Sequence, residues 1–408
     1  MTPLHPDGTS NLWVSWLAGM VACAIASEAA WPRHTVDASL QGADGVRLAD
    51  ANRDGLPDIT TAWEESGIIR VYLNPGLSQI TQHWPMITVG KVSSPEDAVF
   101  VDLDHDGMID VISSCEGNNR SVYVHWAPAY KKQYENGSHW RTEPFPALHS
   151  KSMWMFCTPG DFNQDGRTDL MIGSKGDQGT IGWLEAPDQP RNLESWIWHP
   201  IQSAGWIMSI QVADYDKDGD LDAIISDRKG PQSGIYLLEN RISQRPSGND
   251  GWESSLIGAS GEEVMFIDAR MLEDKEPIII AAQRPNRVMR LSSTHWLSKF
   301  ESHPLTLLSG PWGSVKAVAM GDINLDGRVD TAITCENADG NRSGVLWIAG
   351  QTGENKLYPQ LRDISGEAGV KFDRMELLDL DGDSDLDILT CEERDLLGVI
   401  WYENPHIN

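Results

Sequence analysis

Apolar and polar positions alternate in short runs along this chain, and the runs recur with a long period. Ala98-Val99-Phe100-Val101 enters an aspartate-rich loop, and Val111-Ile112-Ser113 leaves it. A third run ends in an aromatic or Asn-Pro turn, as in RVYLNPG, SVYVHWAP, IGWLEAP, GIYLLEN, GVLWIAG and VIWYENP. A fourth often opens on tryptophan, as at Trp84, Trp140 and Trp252, which are expected to pack within their sheets. Period-two runs of this length, punctuated by Gly, Pro and Asn, predict strands. No helical period competes over a comparable stretch.

The aspartate loops set the repeat. Their first aspartates are Asp50, Asp102, Asp161, Asp214, Asp322 and Asp379, and successive intervals are 52, 59, 53, 108 and 57 residues. The long interval is twice 54, so a degenerate copy is expected near position 268. MFIDARMLEDKEPIIIAA keeps Asp268 and its apolar flanks there and has lost the acidic loop, so this copy should bind no ion. Seven units of four short strands predict an all-β fold, a seven-bladed β-propeller of four-stranded blades. The last unit stops after its third strand at Glu403-Asn404-Pro405. Trp31-Pro32-Arg33-His34-Thr35-Val36 resembles the fourth strand His83-Trp84-Pro85-Met86-Ile87-Thr88-Val89. An N-terminal strand is therefore expected to complete blade seven and close the ring.

The loops carry candidate chemistry. Carboxylates or amides stand at positions 1, 3, 5 and 9: Asp50, Asn52, Asp54 and Asp58; Asp102, Asp104, Asp106 and Asp110; Asp161, Asn163, Asp165 and Asp169. The later loops give Asp214, Asp216, Asp218 and Asp222; Asp322, Asn324, Asp326 and Asp330; Asp379, Asp381, Asp383 and Asp387. Hard oxygens at this spacing, with glycine at position 6 for the turn, suit Ca²⁺, which takes six to eight oxygen ligands. An EF-hand would place Glu at position 12 between helices. Here position 12 is Thr61, Ser113, Ile172, Ile225, Ile333 or Thr390, so the expected sites sit on hairpins and use the Asp at position 9. Up to six structural calcium ions are expected. The seventh loop has Ser384 where the others have glycine.

These loops resemble those of the FG-GAP/VCBS repeat proteins, whose relatives include the propeller of integrin α subunits. The resemblance covers residues 31–408 as one propeller domain. It implies the fold and the ion, and it leaves activity open, because relatives include adhesion modules, lectin-like binders and polysaccharide lyases.

Composition adds a compartment and excludes partners. Residues Leu12 to Ala26 are uncharged and largely apolar, too short for a comfortable span and suited to the core of a signal peptide over residues 1–30. Ser27 and Ala29 fit a cleavage site before Trp31, although Met1 to Asn11 lack Lys and Arg. Lipoprotein processing at Cys23 and a buried N-terminal segment are the alternatives. A secreted, periplasmic or cell-surface monomer is expected, with no membrane span after processing. Cys115, Cys157, Cys335 and Cys391 form no CxxC, so they point to disulfides or buried thiols rather than zinc. A net charge of −28 excludes nucleic acid, whose binding requires a basic footprint. Twenty-one of the 60 acidic residues lie in the six loops, and six divalent ions would bring the charge to about −16.

In a propeller, the loops joining second to third strands and those joining blades share the face opposite the aspartate loops. On that face the sequence places Asp97, Glu116, Trp154, Trp206, Arg228, Arg284, Trp312, Lys316 and Lys371 as candidate ligand contacts. Tryptophan, cations and carboxylates together suit a carbohydrate or an extracellular protein. The alternative is a polysaccharide lyase or glycoside hydrolase using the same face, with Lys316 or Lys371 as base. No HExxH, GxSxG or P-loop supports an enzyme.

Overall fold

The apolar run entering each aspartate loop becomes the first strand of a blade, and the run leaving it becomes the second. Both are sandwiched between neighbouring sheets, so Pro95–Val101, Asp58–Trp63 and Asp110–Cys115 are buried along their whole length. Fourth strands face water on one side and read polar, as in Trp252–Gly258 and Phe300–Leu307. The computed structural model describes residues 30–242, 251–271, 277–293, 299–350 and 361–405. The apolar segment before Ala30, including Cys23, lies outside them.

Seven four-stranded antiparallel sheets make the propeller. The degenerate fifth copy is a complete blade, with strands Val264–Arg270, Ile278–Gln283, Arg287–Ser293 and Phe300–Leu307. Blade seven has three strands from the C-terminal end, Phe372–Leu378, Asp387–Glu392 and Gly398–Tyr402, and a fourth, Arg33–Asp37, from the N-terminal end. Arg33 pairs with Tyr402 and Thr35 with Ile400, which leaves no open edge at the closure. Asp37 then reaches into blade one. It accepts hydrogen bonds from Tyr72 Oη at 2.8 Å and from Arg70, while Trp63 Nε1 donates to Tyr72 at 2.9 Å.

One irregularity bears on the functional face. In every blade the pairing of first and second strands shifts register near the end remote from the aspartate loop. Such a bulge re-aims side chains. The bulged positions include Glu96, Met155, Met208, Met265, Lys316 and Asp373. Methionines on blades three to five are thus matched by charged residues on blades six, seven and two.

The four described cysteines are buried thiols with no disulfide. Burial pushes Cys115 and Cys335 up to about 12.

Candidate functional site: the aspartate loops and the opposite face

The six acidic loops share one backbone path. Position 4 has positive φ in each (Arg53, His105, Gln164, Lys217, Leu325, Gly382), as does position 6 (Gly55, Gly107, Gly166, Gly219, Gly327, Ser384). The carboxylate at position 1 accepts the N–H of position 6 at 2.8–3.2 Å in all six. Ser384 adopts φ 82° without being glycine. Ser384→Gly is expected to stabilise the protein by about 0.5–1 kcal/mol, because the strain of a left-handed L-residue exceeds glycine's extra entropy cost. Urea unfolding would read this directly, and a loss of stability would contradict it.

Positions 1, 3 and 5 converge. Single carboxylate oxygens of Asp102, Asp104 and Asp106 lie within 4.8 Å of one another, as do those of Asp214, Asp216 and Asp218. Two oxygens each about 2.4 Å from one Ca²⁺ are separated by no more than about 4.8 Å. Asn52 Oδ1 and Asp214 Oδ1 are buried without a hydrogen-bond partner, and both belong to these donor sets. The donors are all oxygen, so the residues fit a hard cation. Arginines occupy some of the same carboxylates: Arg191 pairs with Asp104 and Asp106, Arg167 with Asp165, and Arg328 with Asp326.

Position 9 behaves differently. Each of Asp58, Asp110, Asp169, Asp222, Asp330 and Asp387 is at most 1% exposed. One oxygen accepts the N–H of the residue at position 2 of its loop, and the other accepts an N–H at or just beyond the end of the third strand, all at 2.6–3.2 Å. The ninth aspartate thus staples the loop to the third strand. Burial pushes Asp58 up to about 6 and Asp110 up to about 8. In blade five, Asp268 takes another role: it pairs with Arg270 and accepts the Met320 N–H of blade six at 2.7 Å.

On the opposite face the sequence-derived residues divide. Asp97 and Trp154 do not belong to the accessible surface. Asp97 is 1% exposed and forms a two-point ion pair with Arg47 at 2.8 and 3.0 Å, and Trp154 is 1% exposed with Nε1 donated to Leu148 O. Both stand in first strands, Pro95–Val101 and Met153–Gly160, rather than in the loops before them. Trp312 is half-buried and packs against the core, with its backbone bridged to Ser343.

The other candidates meet across blade boundaries. Lys175 Nζ lies 4.3 Å, Arg228 Cζ 4.5 Å and Lys229 Nζ 4.6 Å from the centroid of the half-buried Trp206 ring. Asp227 fixes that segment, accepting the N–H groups of Gly205 and Trp206. Arg228 pairs with Glu263, Arg284 with Glu336, and Glu116 with Lys175. Lys316 reaches Asp373 at 2.9 Å, and Lys371 pairs with Glu393. Burial alone would lower both lysines, but Asp373 and Glu393 outweigh it and hold each above its ordinary value.

A feature the sequence did not signal is a cleft of about 490 Å³ on the loop side, lined by Asp104, Asp106, Trp126, Tyr130, His139 and Arg191 among others. Beyond Asp104 and Asp106 of the aspartate loop, its walls come mainly from connections between third and fourth strands, which vary between blades and carry no repeat signature.

No curated protein matches the sequence. Two solved structures with similar folds are of BBS1N in complex with ARL6DN, one soaked with mercury and one with lead. The first has a TM-score of 0.51 at 11% identity, covering 93% of this chain and 98% of that one. The second has 0.50 at 11% identity, covering 92% and 99%. At that identity they show the fold alone. Among the described residues no helix is long and apolar enough to cross a membrane. The family described as FG-GAP-like repeat matches residues 50–113 and 135–225, the stretches that hold four of the six acidic loops. With seven four-stranded blades and those loops at the first hairpin of each matched blade, the chain is a seven-bladed β-propeller that carries FG-GAP-like repeats over residues 50–113 and 135–225.

Proposed function

We propose that this protein is an exported binding module, held rigid by calcium in its aspartate loops, that takes a carbohydrate or protein ligand on the opposite face. The observation that carries this reading is the grouping of Lys175, Arg228 and Lys229 around half-exposed Trp206, with Arg284 on the adjoining blade. Donors ranged around an aromatic ring suit a ligand rich in hydroxyls or carboxylates. The lyase alternative requires a base that is neutral near working pH. Lys316 and Lys371 are kept protonated by Asp373 and Glu393, so neither is suited to that task.

Trp206→Ala and Lys229→Ala should each weaken ligand binding by about tenfold or more while leaving the melting temperature nearly unchanged. A glycan array that includes acidic oligosaccharides identifies the ligand class, and calorimetry on the hit measures the loss. Undiminished affinity in Trp206→Ala would move the site elsewhere. Turnover of an acidic polysaccharide by the wild-type chain would replace binding with catalysis.

A further inference from the structure

Next to the Trp206 group, and joined to it through Lys175, blades seven, one and two crowd carboxylates together. Oxygens of Asp44, Glu64 and Glu96 lie within 4.8 Å of one another, and so do those of Asp44, Asp373 and Glu393. Asp44 is 7% exposed, stands beside the bulge of the first strand of blade one, and its carboxylate has no hydrogen-bond or ion-pair partner among the described residues. Its oxygens belong to both triads. Glu393 Oε1, on a residue 4% exposed, is likewise buried and unpartnered.

The nearby lysines are committed elsewhere. Lys316 bridges Asp373 and Glu336, at 2.9 and 3.4 Å, and Lys371 holds Glu393. Lys175 holds Glu116 and stands 3.6 Å from Glu96. None forms an ion pair with Asp44 or Glu64. Asp44 and Glu64 are therefore left without a cation of their own, at a place where isolated buried charge is costly.

We propose that Asp44, Glu64 and Glu96 hold a divalent calcium ion on this face, separate from the aspartate loops, with Asp373 and Glu393 as flanking carboxylates. The donors are all oxygen, which selects a hard cation. Oxygens no more than 4.8 Å apart can share one calcium shell, and Ca²⁺ accepts the irregular, carboxylate-rich arrangement that Mg²⁺, with its strict octahedron and retained waters, does not favour. Asp44 and Glu64 come from blade one and Glu96 from blade two, with blade seven adjoining. The ion therefore ties the closing blade to the first two, at the end of the molecule opposite the loops.

The full chain, stripped with chelator and re-equilibrated with Ca²⁺, is counted for bound ions by elemental analysis. Asp44→Asn and Glu64→Gln should each bind one ion fewer than wild type, or bind that ion about tenfold more weakly. The loop variant Asp104→Asn/Asp106→Asn should lose a different ion, so that combining it with Glu64→Gln removes two. Glu64 is half-buried, and its variant carries the test if Asp44→Asn fails to fold. Crystals soaked in Mn²⁺ should show an anomalous peak among Asp44, Glu64 and Glu96. Unchanged stoichiometry in folded Glu64→Gln together with no such peak overturns the proposal and leaves the carboxylates sharing protons. Loss of loop ions with this peak retained separates the two kinds of site.

Discussion

Excess EGTA is expected to lower the melting temperature of this protein by more than about 10 °C relative to the same chain in calcium. Fifteen aspartates stand at positions 1, 3 and 5 of six loops, and in blades two and four the oxygens of those positions already lie within 4.8 Å of each other. Without a cation, that is like charge held at contact range. A site filled at one hundred times its dissociation constant contributes about 2.7 kcal/mol to the folded state. Unfolding entropy of about 2.1 cal/mol/K per residue makes the melting temperature of a chain this long move by about 1 °C for each 0.8 kcal/mol. Three filled loops therefore reach a 10 °C shift, and six exceed it. Differential scanning calorimetry with and without chelator is the measurement, and coincident melts would remove calcium from the account of stability.

The periodic part of this architecture was legible in the sequence because its cause is local. Asp, Gly and an apolar run must follow one another to turn a hairpin at the first loop of each blade, so the spacing survives even where chemistry is lost, as at Asp268. The closure was legible for a similar reason: a unit lacking its fourth strand and an orphan strand resembling one imply each other. The face opposite the loops was less legible. Strand alternation assumes an unbroken period of two, and a single bulge near the strand end reverses which side a residue faces. Glu96, Lys316 and Asp373 occupy such bulges, and the pairs Lys316–Asp373 and Glu96–Lys175 join different blades, 57 and 79 residues apart in sequence. Asp97 and Trp154 stand within first strands rather than in the preceding loops, because nothing in composition marks where a first strand begins. The role of the ninth aspartate was half visible: its recurrence was plain, but its acceptance of two backbone amides depends on a third strand some 17 residues away.

Asp222→Ala is expected to cost about 4 kcal/mol, and to cost nearly as much in EGTA as in calcium. Asp222 is fully buried, with Oδ2 accepting from Tyr215 N at 3.0 Å and Oδ1 from Asn240 N at 2.8 Å. Alanine leaves two buried amides without acceptors, each worth about 1–3 kcal/mol. It also loosens Asn240, whose side chain donates to Phe162 O of the preceding blade at 2.8 Å and so joins blade four to blade three. Asn404 repeats the arrangement between blades seven and six, donating to Ile323 O at 2.8 Å. Asp222→Asn keeps one acceptor oxygen and should cost about half as much. Chemical denaturation in both buffers separates the two roles open to this position. If the ninth aspartate acted only as an ion ligand, its substitution would be nearly silent once calcium was removed. A cost that persists in EGTA assigns it to the staple, and makes the same residue the reason the loop keeps its shape before an ion arrives.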